Sequence, residues 1–272
     1  MEPRLQRRVQ RYGWDKASPH YEIFWQNQLK PAQDLLIEMA DLQPEDDVLD
    51  IACGTGLVSF QLIEKPGYHG RLLGTDISDR MIELASSTAN LKNEGRVQFR
   101  QMDAEELSLE NNSFDLAVCA LGLMYMPDPR KALVEMHRVL KPGGRAVAAV
   151  WGRRDQCGWA DIFGIVDQHV ASEVCPMFFN LGNPDILKLN FKSAGFKKIT
   201  VQRIHTILSY KDSNDALGAA FDGGPAALAY HKFSEEIKQQ VHTAYLDSIA
   251  PFKKGNGYDV PGEFVIARGF VN

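Results

Sequence analysis

Cysteine is scarce in this 272-residue chain. Its four copies, Cys53, Cys119, Cys157 and Cys175, are too few and too scattered for a disulfide framework, and no two of them form a C-x-x-C pair. We therefore expect neither a disulfide scaffold nor structural zinc. Stability has to come from an ordinary hydrophobic core, for which 44% hydrophobic residues are sufficient in a chain of this length.

Long apolar runs are also missing. No stretch approaches the roughly 18 residues that a membrane-spanning helix needs. The first residues are charged where a signal peptide would be apolar. Together these two absences predict a cytoplasmic protein without an integral membrane segment.

An excess of basic residues is the third absence. The formal net charge is -5 and the isoelectric point is near 5.8, whereas nucleic-acid binders normally present a basic face that neutralises several phosphates. Arg4, Arg7, Arg8 and Arg11 form the one basic cluster. Because no longer basic tract accompanies it, we interpret this cluster as a solvated N-terminal arm and expect no nucleic-acid partner.

Strand-like and helix-like patterns alternate from Asp47 to Trp151. The strand-like runs are rich in Val, Leu, Ile and Phe, and they span residues 48–53, 71–77, 97–102, 114–121 and 145–151. The helix-like segments between them span 56–63, 79–91 and 128–140, and the stop signals "KPGG" follow the last one. This alternation predicts a doubly wound α/β fold around a parallel sheet.

The alternation falters after Trp151. Segments 161–174 and 185–194 have helical patterns, 199–208 is typical of a long strand, and 212–249 is mostly helical with a "DGGP" break at 222–225. The run "GEFVIARGF" at 262–270 predicts a terminal strand. Since no repeat or low-complexity segment separates these parts, we interpret the late helices as an insertion or cap on the same domain.

The glycine turn "VLDIACGTG", residues 48–56, is typical of a nucleotide-like ligand site. A dinucleotide fingerprint requires a third glycine where this chain has Ser59, and a Walker loop requires a lysine that is absent here. Both phosphate-binding interpretations are therefore weakened. Asp50, inside the preceding strand, would repel a pyrophosphate and would suit a ligand that carries an ammonium group.

Two further carboxylates end the next two strands. Asp76 can accept hydrogen bonds from both hydroxyls of a ribose, and such charge-assisted bonds contribute about 1.5–3 kcal/mol each. Asp103 is suited to the exocyclic amine of adenine. A ligand with an ammonium group, a ribose and an adenine, but no required phosphate, fits S-adenosylmethionine.

At these residues the chain resembles the class I S-adenosylmethionine-dependent methyltransferases, within them the ubiquinone/menaquinone biosynthesis group. The stretches that carry the resemblance are "VLDIACGTG", "GTDISDRMIELA", "QMDAEELSLENNSFDLAVCALGLMYMPDPRKALVEMHRVLKPGG" and "RAVAAVW". They cover residues 48–151 in detail, and the likeness extends more loosely to the final strand. Their order and spacing make the resemblance specific, although no single motif is decisive.

The resemblance implies a Rossmann-like, doubly wound, seven-stranded sheet that is mostly parallel with an antiparallel last strand. It implies an N-terminal helical lid at 1–46 and a methyltransferase domain at 47–272, with helical cap insertions at about 152–184 and 211–257. Within the lid, the resemblance implies that Tyr21 lies against the cofactor, in the stretch "YGWDKASPHYEIFWQNQLKP". The alternative is that Trp14, Tyr21 and Trp25 form an aromatic helix face packed on the core.

The resemblance also implies roles at the methionine end of the cofactor. Gly54 and Gly56 let the backbone approach the methionine part, and Asp50 lies under that loop near the ammonium group. Ala120, at the end of the fourth strand, lines the same side. Its neighbour Cys119 is better explained by core packing.

At the adenosine end, the resemblance implies that Asp76 holds the ribose. Ile77 and Met81 sandwich the adenine, Asp103 meets its amine, and the backbone amide of Ala104 meets a ring nitrogen.

The sequence does not identify a catalytic base. The leaving group of methyl transfer is a neutral thioether, so a base is required only if the acceptor begins protonated. Candidates are His20, Tyr125 and His205, although residues of these types more often have a structural role. His137 lies inside a predicted regular helix, and this position indicates a packing role.

The acceptor is expected to be a small molecule. The chain has "ALGLMYMPD" where enzymes that methylate nucleic-acid bases carry an Asn/Asp-Pro-Pro-aromatic run. Residues 121–126 contain no carboxylate, so the sequence does not imply a magnesium site there. Apolar side chains that suit an aromatic or lipophilic acceptor, or that form the core of the cap, are Leu123, Met124, Tyr125, Met126, Trp151, Trp159, Phe163, Phe178 and Phe179.

We therefore expect C- or O-methylation of a small aromatic or lipophilic metabolite. Three alternatives stay open at this point: methylation of a soft acceptor such as arsenite through Cys157 and Cys175, a non-catalytic protein that binds S-adenosylmethionine, and a NAD-dependent oxidoreductase. The sequence leaves open whether the protein is a monomer or a homodimer.

Overall fold

A computed structural model describes residues 2–171, 175 and 177–272 of the chain. A single sheet has the strand order β3-β2-β1-β4-β5-β8-β6, and the two-residue β7 pairs with β8. The strands are β1 Val48–Ile51, β2 Leu72–Asp76, β3 Val97–Gln101, β4 Phe114–Ala120, β5 Leu140–Trp151, β6 Lys197–Tyr210, β7 Lys253–Lys254 and β8 Gly257–Phe270. Strands β1 to β5 are parallel, and β8 is antiparallel to both of its long neighbours. The predicted fold class, including the antiparallel last strand, is confirmed.

Three helices connect the parallel strands: α2 Leu57–Ile63, α3 Asp79–Leu91 and α4 Pro129–Val139. Helix α1 Pro3–Ala40 precedes β1, and the later helices are α5 Asp161–Asp167, α6 Ile186–Ser193, α7 Ser213–Leu217, α8 Ala227–Tyr230 and α9 Glu235–Ile249. Strand order reverses beside β1, so right-handed crossovers put α2 and α3 on one face of the sheet and α4 on the other. Ligands of such sheets bind at this reversal, outside the carboxyl ends of the strands.

Several predicted boundaries differ from the structure. Strand β5 begins at Leu140 rather than at residue 145, because Leu140 pairs with Phe114 as soon as α4 ends. Helix α5 ends at Asp167, well before the predicted end at 174, and residues 172–174 lie outside the described residues. Strand β8 begins at Gly257 rather than at 262, since it pairs with β6 through Pro261. The predicted helical stretch 212–249 is divided into α7, a π-helical turn at Gly218–Asp222, α8 and α9.

The N-terminal region forms one helix of 38 residues, although Pro19 and Pro31 lie inside it. The second half of α1 buries Leu29, Leu36 and Ile37 against the sheet, and its first half reaches over the carboxyl ends of the strands. None of the helices in the described part of the chain has both the length and the apolar composition that crossing a bilayer requires.

Two arginines from the sheet hold the end of α1. Arg145 on β5 donates from Nε to the carbonyl of Ala40 and from Nη2 to the carbonyl of Asp41, and it pairs with the buried carboxylate of Asp46. Arg268 on β8 donates to the carbonyl of Met39 at 3.1 Å. These bonds satisfy carbonyls that a helix end leaves without a partner, and they place positive charge where the helix dipole is negative.

We expect Arg145→Ala to lower the free energy of unfolding by about 3 kcal/mol, because it leaves the Asp46 carboxylate buried without its partner. Urea denaturation measures the effect. As a control, Arg71→Ala removes an ion pair whose arginine side chain is 81% exposed, and it should cost under about 1 kcal/mol. Equal unfolding midpoints for the two variants would contradict the anchoring role of Arg145.

Candidate active site

A cleft lies where the carboxyl ends of the parallel strands meet the first half of α1. Residues of α1, of the segments that follow β1, β2, β3 and β4, and of the segment before α8 line it. Of the ten residues that the resemblance assigns to the cofactor, eight line the cleft: Tyr21, Gly54, Asp76, Ile77, Met81, Asp103, Ala104 and Ala120. Asp50 and Gly56 are not among the lining residues.

The glycine loop, residues 52–56, turns β1 sharply into α2. Ala52, Gly54 and Gly56 all have positive φ angles, of 55°, 57° and 90°. Gly54 faces the cleft, where a Cβ would stand 3.8 Å from the ring of Tyr21. A Cβ on Gly56 would come within 2.8 Å of the Phe60 ring, so Gly56 is required for packing behind the loop.

The carboxylate of Asp76 joins this loop to the start of α3. It accepts hydrogen bonds from the backbone N–H of Gly54 and from that of Ser78, both at 2.9 Å. The side chain of Ser78 caps α3 by accepting from the N–H of Met81 at 3.1 Å. Burial raises the pKa of Asp76, and the two backbone donors oppose this increase.

Asp50 lies beneath the glycine loop and is 1% exposed. The hydroxyl of Ser59 donates to its Oδ2 at 2.6 Å, whereas its Oδ1 is buried without a hydrogen-bond partner. Burial, with a smaller contribution from the neighbouring Asp76 carboxylate, raises the pKa of Asp50 to about 7, and hydrogen bonds from Ser59 oppose this increase. The unpaired oxygen could accept a donor or receive a positive charge from a ligand above the loop.

The side of the cleft next to β2 and β3 combines apolar walls with an ion pair. Ile77, Met81 and Ala104 line it. Asp103 accepts from the N–H of Glu105 at 2.9 Å, and its Oδ2 lies 2.8 Å from Nε of Arg7 on α1.

The basic N-terminal cluster is therefore only partly a solvated arm, which corrects the prediction. Arg7 pairs with Asp103 and with Glu105, whose side chain is 2% exposed, and Arg11 pairs with Asp79. Arg4 and Arg8 are exposed. The sequence contained no signal for these pairs, because Arg7 and Glu105 are 98 residues apart.

Helix α1 also brings its aromatic residues to the cleft. The ring of Trp14 lies edge-on to Tyr21 and to Tyr125, with centroids 5.7 and 5.1 Å apart. Trp25 is buried against Trp151 and Trp159. The sequence allowed two interpretations of these rings, a contact with the cofactor or a helix face packed on the core. Each describes part of the structure, since the rings line the cleft and also pack on the core.

The end of the cleft beside β5 is apolar. Trp25, Leu29, Trp151 and Trp159 line it, together with Gly224 and Pro225 from the segment before α8. Of the apolar residues singled out in the sequence, Tyr125, Met126, Trp151 and Trp159 reach the cleft. The others pack elsewhere, and Phe163, Phe178 and Phe179 lie against Trp159.

Among the candidate bases, Tyr125 alone lines the cleft. Its enclosed position raises the pKa of its hydroxyl well above the usual value. The ring of His20 lies beside that of Phe24, with centroids 6.4 Å apart. His205 is 70% exposed on β6, and His137 packs on Phe196.

The two cysteines considered for a soft acceptor are protonated thiols. Burial raises the pKa of Cys157 and of Cys175 to about 12. The side chain of Gln10 donates to the sulfur of Cys175 at 3.5 Å. In residues 2–171, 175 and 177–272, no three His, Cys, Asp or Glu side chains are grouped as metal ligands.

Comparison with known proteins identifies the family. A family model described as a methyltransferase domain matches residues 48–144. The demethylmenaquinone methyltransferase of Staphylococcus epidermidis is 32% identical over 200 residues, which cover 65% of this chain and 81% of that protein. Its counterpart from Lactococcus lactis subsp. lactis is 43% identical over 102 residues, covering 37% of this chain and 40% of the relative.

Solved structures share the fold. The YcgJ protein of Bacillus subtilis superimposes with a TM-score of 0.62 at 21% identity, covering 89% of this chain and 99% of its own. Phosphoethanolamine N-methyltransferase 2 of Haemonchus contortus, solved in complex with S-adenosyl-L-methionine, also has a TM-score of 0.62, at 18% identity, covering 95% of this chain and 57% of its own. On its similarity to the staphylococcal enzyme, and with the fold that these structures share, the chain belongs to the class I S-adenosylmethionine-dependent methyltransferases.

Proposed function

We propose that this enzyme methylates a carbon or oxygen atom of a small, uncharged, aromatic or lipophilic molecule. The observation that carries the proposal is the distribution of charge along the cleft. Its charged lining residues, Arg7, Asp76, Asp103 and Glu105, lie beside β2 and β3, whereas tryptophans line the end beside β5. An acceptor bound among these tryptophans gains from apolar burial, and a charged one would lose its hydration without a partner.

We assign the adenosine part of S-adenosylmethionine to the charged end. Asp76 would accept from the ribose hydroxyls, with Ile77 and Met81 on the two sides of the adenine. Asp103 would accept from the adenine amine, and the N–H of Ala104 would donate to a ring nitrogen. The burial of Asp76 supports this assignment, because a hydrogen bond to a shielded carboxylate is stronger than one in water.

We assign the methionine part to the glycine loop. Gly54 would let it approach the backbone, with Gly56 behind the loop, Ala120 at the side and Tyr21 above. The unpaired Oδ1 of Asp50 supports a positively charged group over this loop. Since Asp50 does not line the cleft, it would act on the ammonium group through its charge rather than by direct contact.

The protein's contribution to the reaction is alignment and exclusion of water. S-adenosylmethionine supplies a methyl group on a sulfonium, whose departure as a neutral thioether needs no general acid. The tryptophans would hold the acceptor in line with that methyl group, and alignment of this kind can supply about 7–11 kcal/mol. Because the pKa of Tyr125 is raised, its hydroxyl stays protonated and would donate a hydrogen bond to an acceptor oxygen rather than remove a proton. A phenolic acceptor would therefore react as its phenolate, having released its proton to bulk water before it binds.

The relatives named demethylmenaquinone methyltransferases favour an acceptor of that class, an apolar molecule with an aromatic ring. An acceptor screen with methyl-labelled S-adenosylmethionine tests the proposal. Phenol, 1-naphthol and 1,4-naphthalenediol represent the proposed class, and primary amines and short oligonucleotides represent the others. Label transfer confined to amines or oligonucleotides would refute the proposal.

We also propose that residues 1–46 act as a lid over a domain at 47–272, with cap insertions at about 152–184 and 211–257. The ion pairs from Arg7 to Asp103 and Glu105, and from Arg11 to Asp79, support this division, because they join α1 to the loops around the cleft. Asp15, on the same helix, accepts from the hydroxyl of Ser78 at 2.6 Å.

Asp76→Ala should weaken the binding of S-adenosylhomocysteine at least tenfold, because it removes the proposed ribose acceptor and the bond that holds Gly54. Titration calorimetry measures this. Asp34→Asn, an exposed carboxylate on α1 that pairs with Lys30, is the control and should bind as tightly as the wild type. Wild-type affinity in Asp76→Ala would exclude the assigned ribose position.

The affinity for S-adenosylhomocysteine should increase between pH 6 and pH 8, by at most about tenfold, as Asp50 ionises around pH 7 beneath the ligand's ammonium group. Because the folded pKa lies above the ordinary value of 3.8, the free protein takes up a proton on folding, and its stability should fall as the pH rises from about 4 to 7. Calorimetry and thermal melting across this range measure the two trends. Asp50→Asn should flatten both, and an unchanged pH dependence in that variant would assign the titration to another group.

Arg7→Gln should speed the dissociation of S-adenosylhomocysteine about fivefold, because opening the lid would no longer break the bonds to Asp103 and Glu105. Stopped-flow displacement measures the rate. Arg8→Gln, the exposed neighbour on the same helix, is the matched control and should release ligand at the wild-type rate. If both variants release ligand at that rate, these ion pairs do not limit opening.

A further inference from the structure

One wall at the apolar end of the cleft comes from the segment between α7 and α8. A π-helical turn, Gly218–Asp222, is closed by the N–H of Gly223 donating to the carbonyl of Gly218 at 2.9 Å. Gly224 and Pro225 follow and line the cleft. Single π-helical turns are rare, and they are frequent at functional sites.

Packing against α1 fixes the position of this wall. A Cβ on Gly218 would come within 2.1 Å of the Phe24 ring, and a Cβ on Gly223 would lie 3.2 Å from the rings of Phe24 and Trp25. Glycine is therefore needed at position 218, whereas a Cβ at position 223 would require the two rings of α1 to shift slightly. The wall therefore packs directly against the helix that carries Tyr21 and Trp25.

Gly224, unlike Gly218 and Gly223, lines the cleft. Its φ lies outside the left-handed range, so its backbone conformation is open to other residues. A Cβ there would lie 3.2 Å from the carbonyl oxygen of Ala219 and 3.8 Å from Nε1 of Trp25, which small shifts can accommodate. Neither backbone strain nor a severe clash requires glycine here, and its missing side chain leaves space at the cleft beside Trp25.

The tryptophans around this space are held from behind. Trp151 packs on Phe264 with ring centroids 4.2 Å apart, and Trp159 lies 4.7 Å from Trp151. Trp25, Trp151 and Trp159 are each less than a tenth exposed. Because tightly packed aromatic rings resist displacement, the width of the apolar end depends on what occupies positions 224 and 225.

We propose that Gly224 and Pro225 set the size of the acceptor, and that the missing side chain at position 224 enlarges the space beside Trp25 in which the acceptor binds. This inference rests on the proposed function, since it places the acceptor among the tryptophans. Two substitutions in the same wall then have opposite effects. Gly224→Ala narrows the space beside Trp25, and Pro225→Ala widens it.

The experiment compares the binding of phenol and 1-naphthol to the enzyme saturated with S-adenosylhomocysteine, by titration calorimetry. Gly224→Ala should weaken the binding of 1-naphthol tenfold or more and that of phenol less than threefold. Pro225→Ala should shift the preference the other way, toward 1-naphthol and the three-ring 9-phenanthrol. Gly95→Ala is the matched control, because Gly95 is exposed, has no left-handed φ and would place its Cβ in open space.

Melting temperature and affinity for S-adenosylhomocysteine should match the wild type in all three variants, which separates acceptor size from folding. If Gly224→Ala does not fold, the shift in Pro225→Ala still decides the question. An unchanged ratio of 1-naphthol to phenol affinity in the folded wall variants would overturn the size-setting role while leaving the proposed function intact. A wild-type enzyme that binds S-adenosylhomocysteine but neither aromatic probe would overturn the proposed function, and this inference with it.

Discussion

The carboxylate of Asp76 is the contact on which the rest of the site depends. Through two backbone N–H groups it holds the glycine loop after β1 against the start of α3. A carboxylate buried in this way is stable only because these donors replace its hydration. The same arrangement brings the ends of β1 and β2 together, so that residues from both loops face a single cleft.

Helix α1 covers the cleft at the carboxyl ends of the strands, and its two halves have different roles. The second half buries apolar side chains on the sheet and ends on the two arginines of β5 and β8. The first half carries charged and aromatic side chains to the cleft. One end of α1 is thus anchored in the core, whereas the other is held by partly exposed ion pairs, which are weaker.

Patterns along the chain predict the parallel strands, because strands buried on both faces read as short apolar runs, and β1 is buried along its whole length. The same patterns predict less after Trp151, where strand β8 starts at a glycine and includes Pro261, and where a π-helical turn divides the late helices. Those elements are stabilised by partners distant in sequence, which a pattern along the chain does not reveal.

The sequence by itself determined the α/β fold and, through motif resemblance, the positions of Asp50, Asp76 and Asp103, because strand and turn propensities act over a few residues. Tertiary structure alone decided that Arg7 pairs with Asp103, that Gly56 lies behind the loop, and that Trp151 and Trp159 meet Gly224 at one end of the cleft. The first and last of these contacts join residues that are far apart in the chain, with 96 positions between Arg7 and Asp103 and 65 between Trp159 and Gly224. They form only when the sheet and α1 bring distant side chains within a few ångströms of each other.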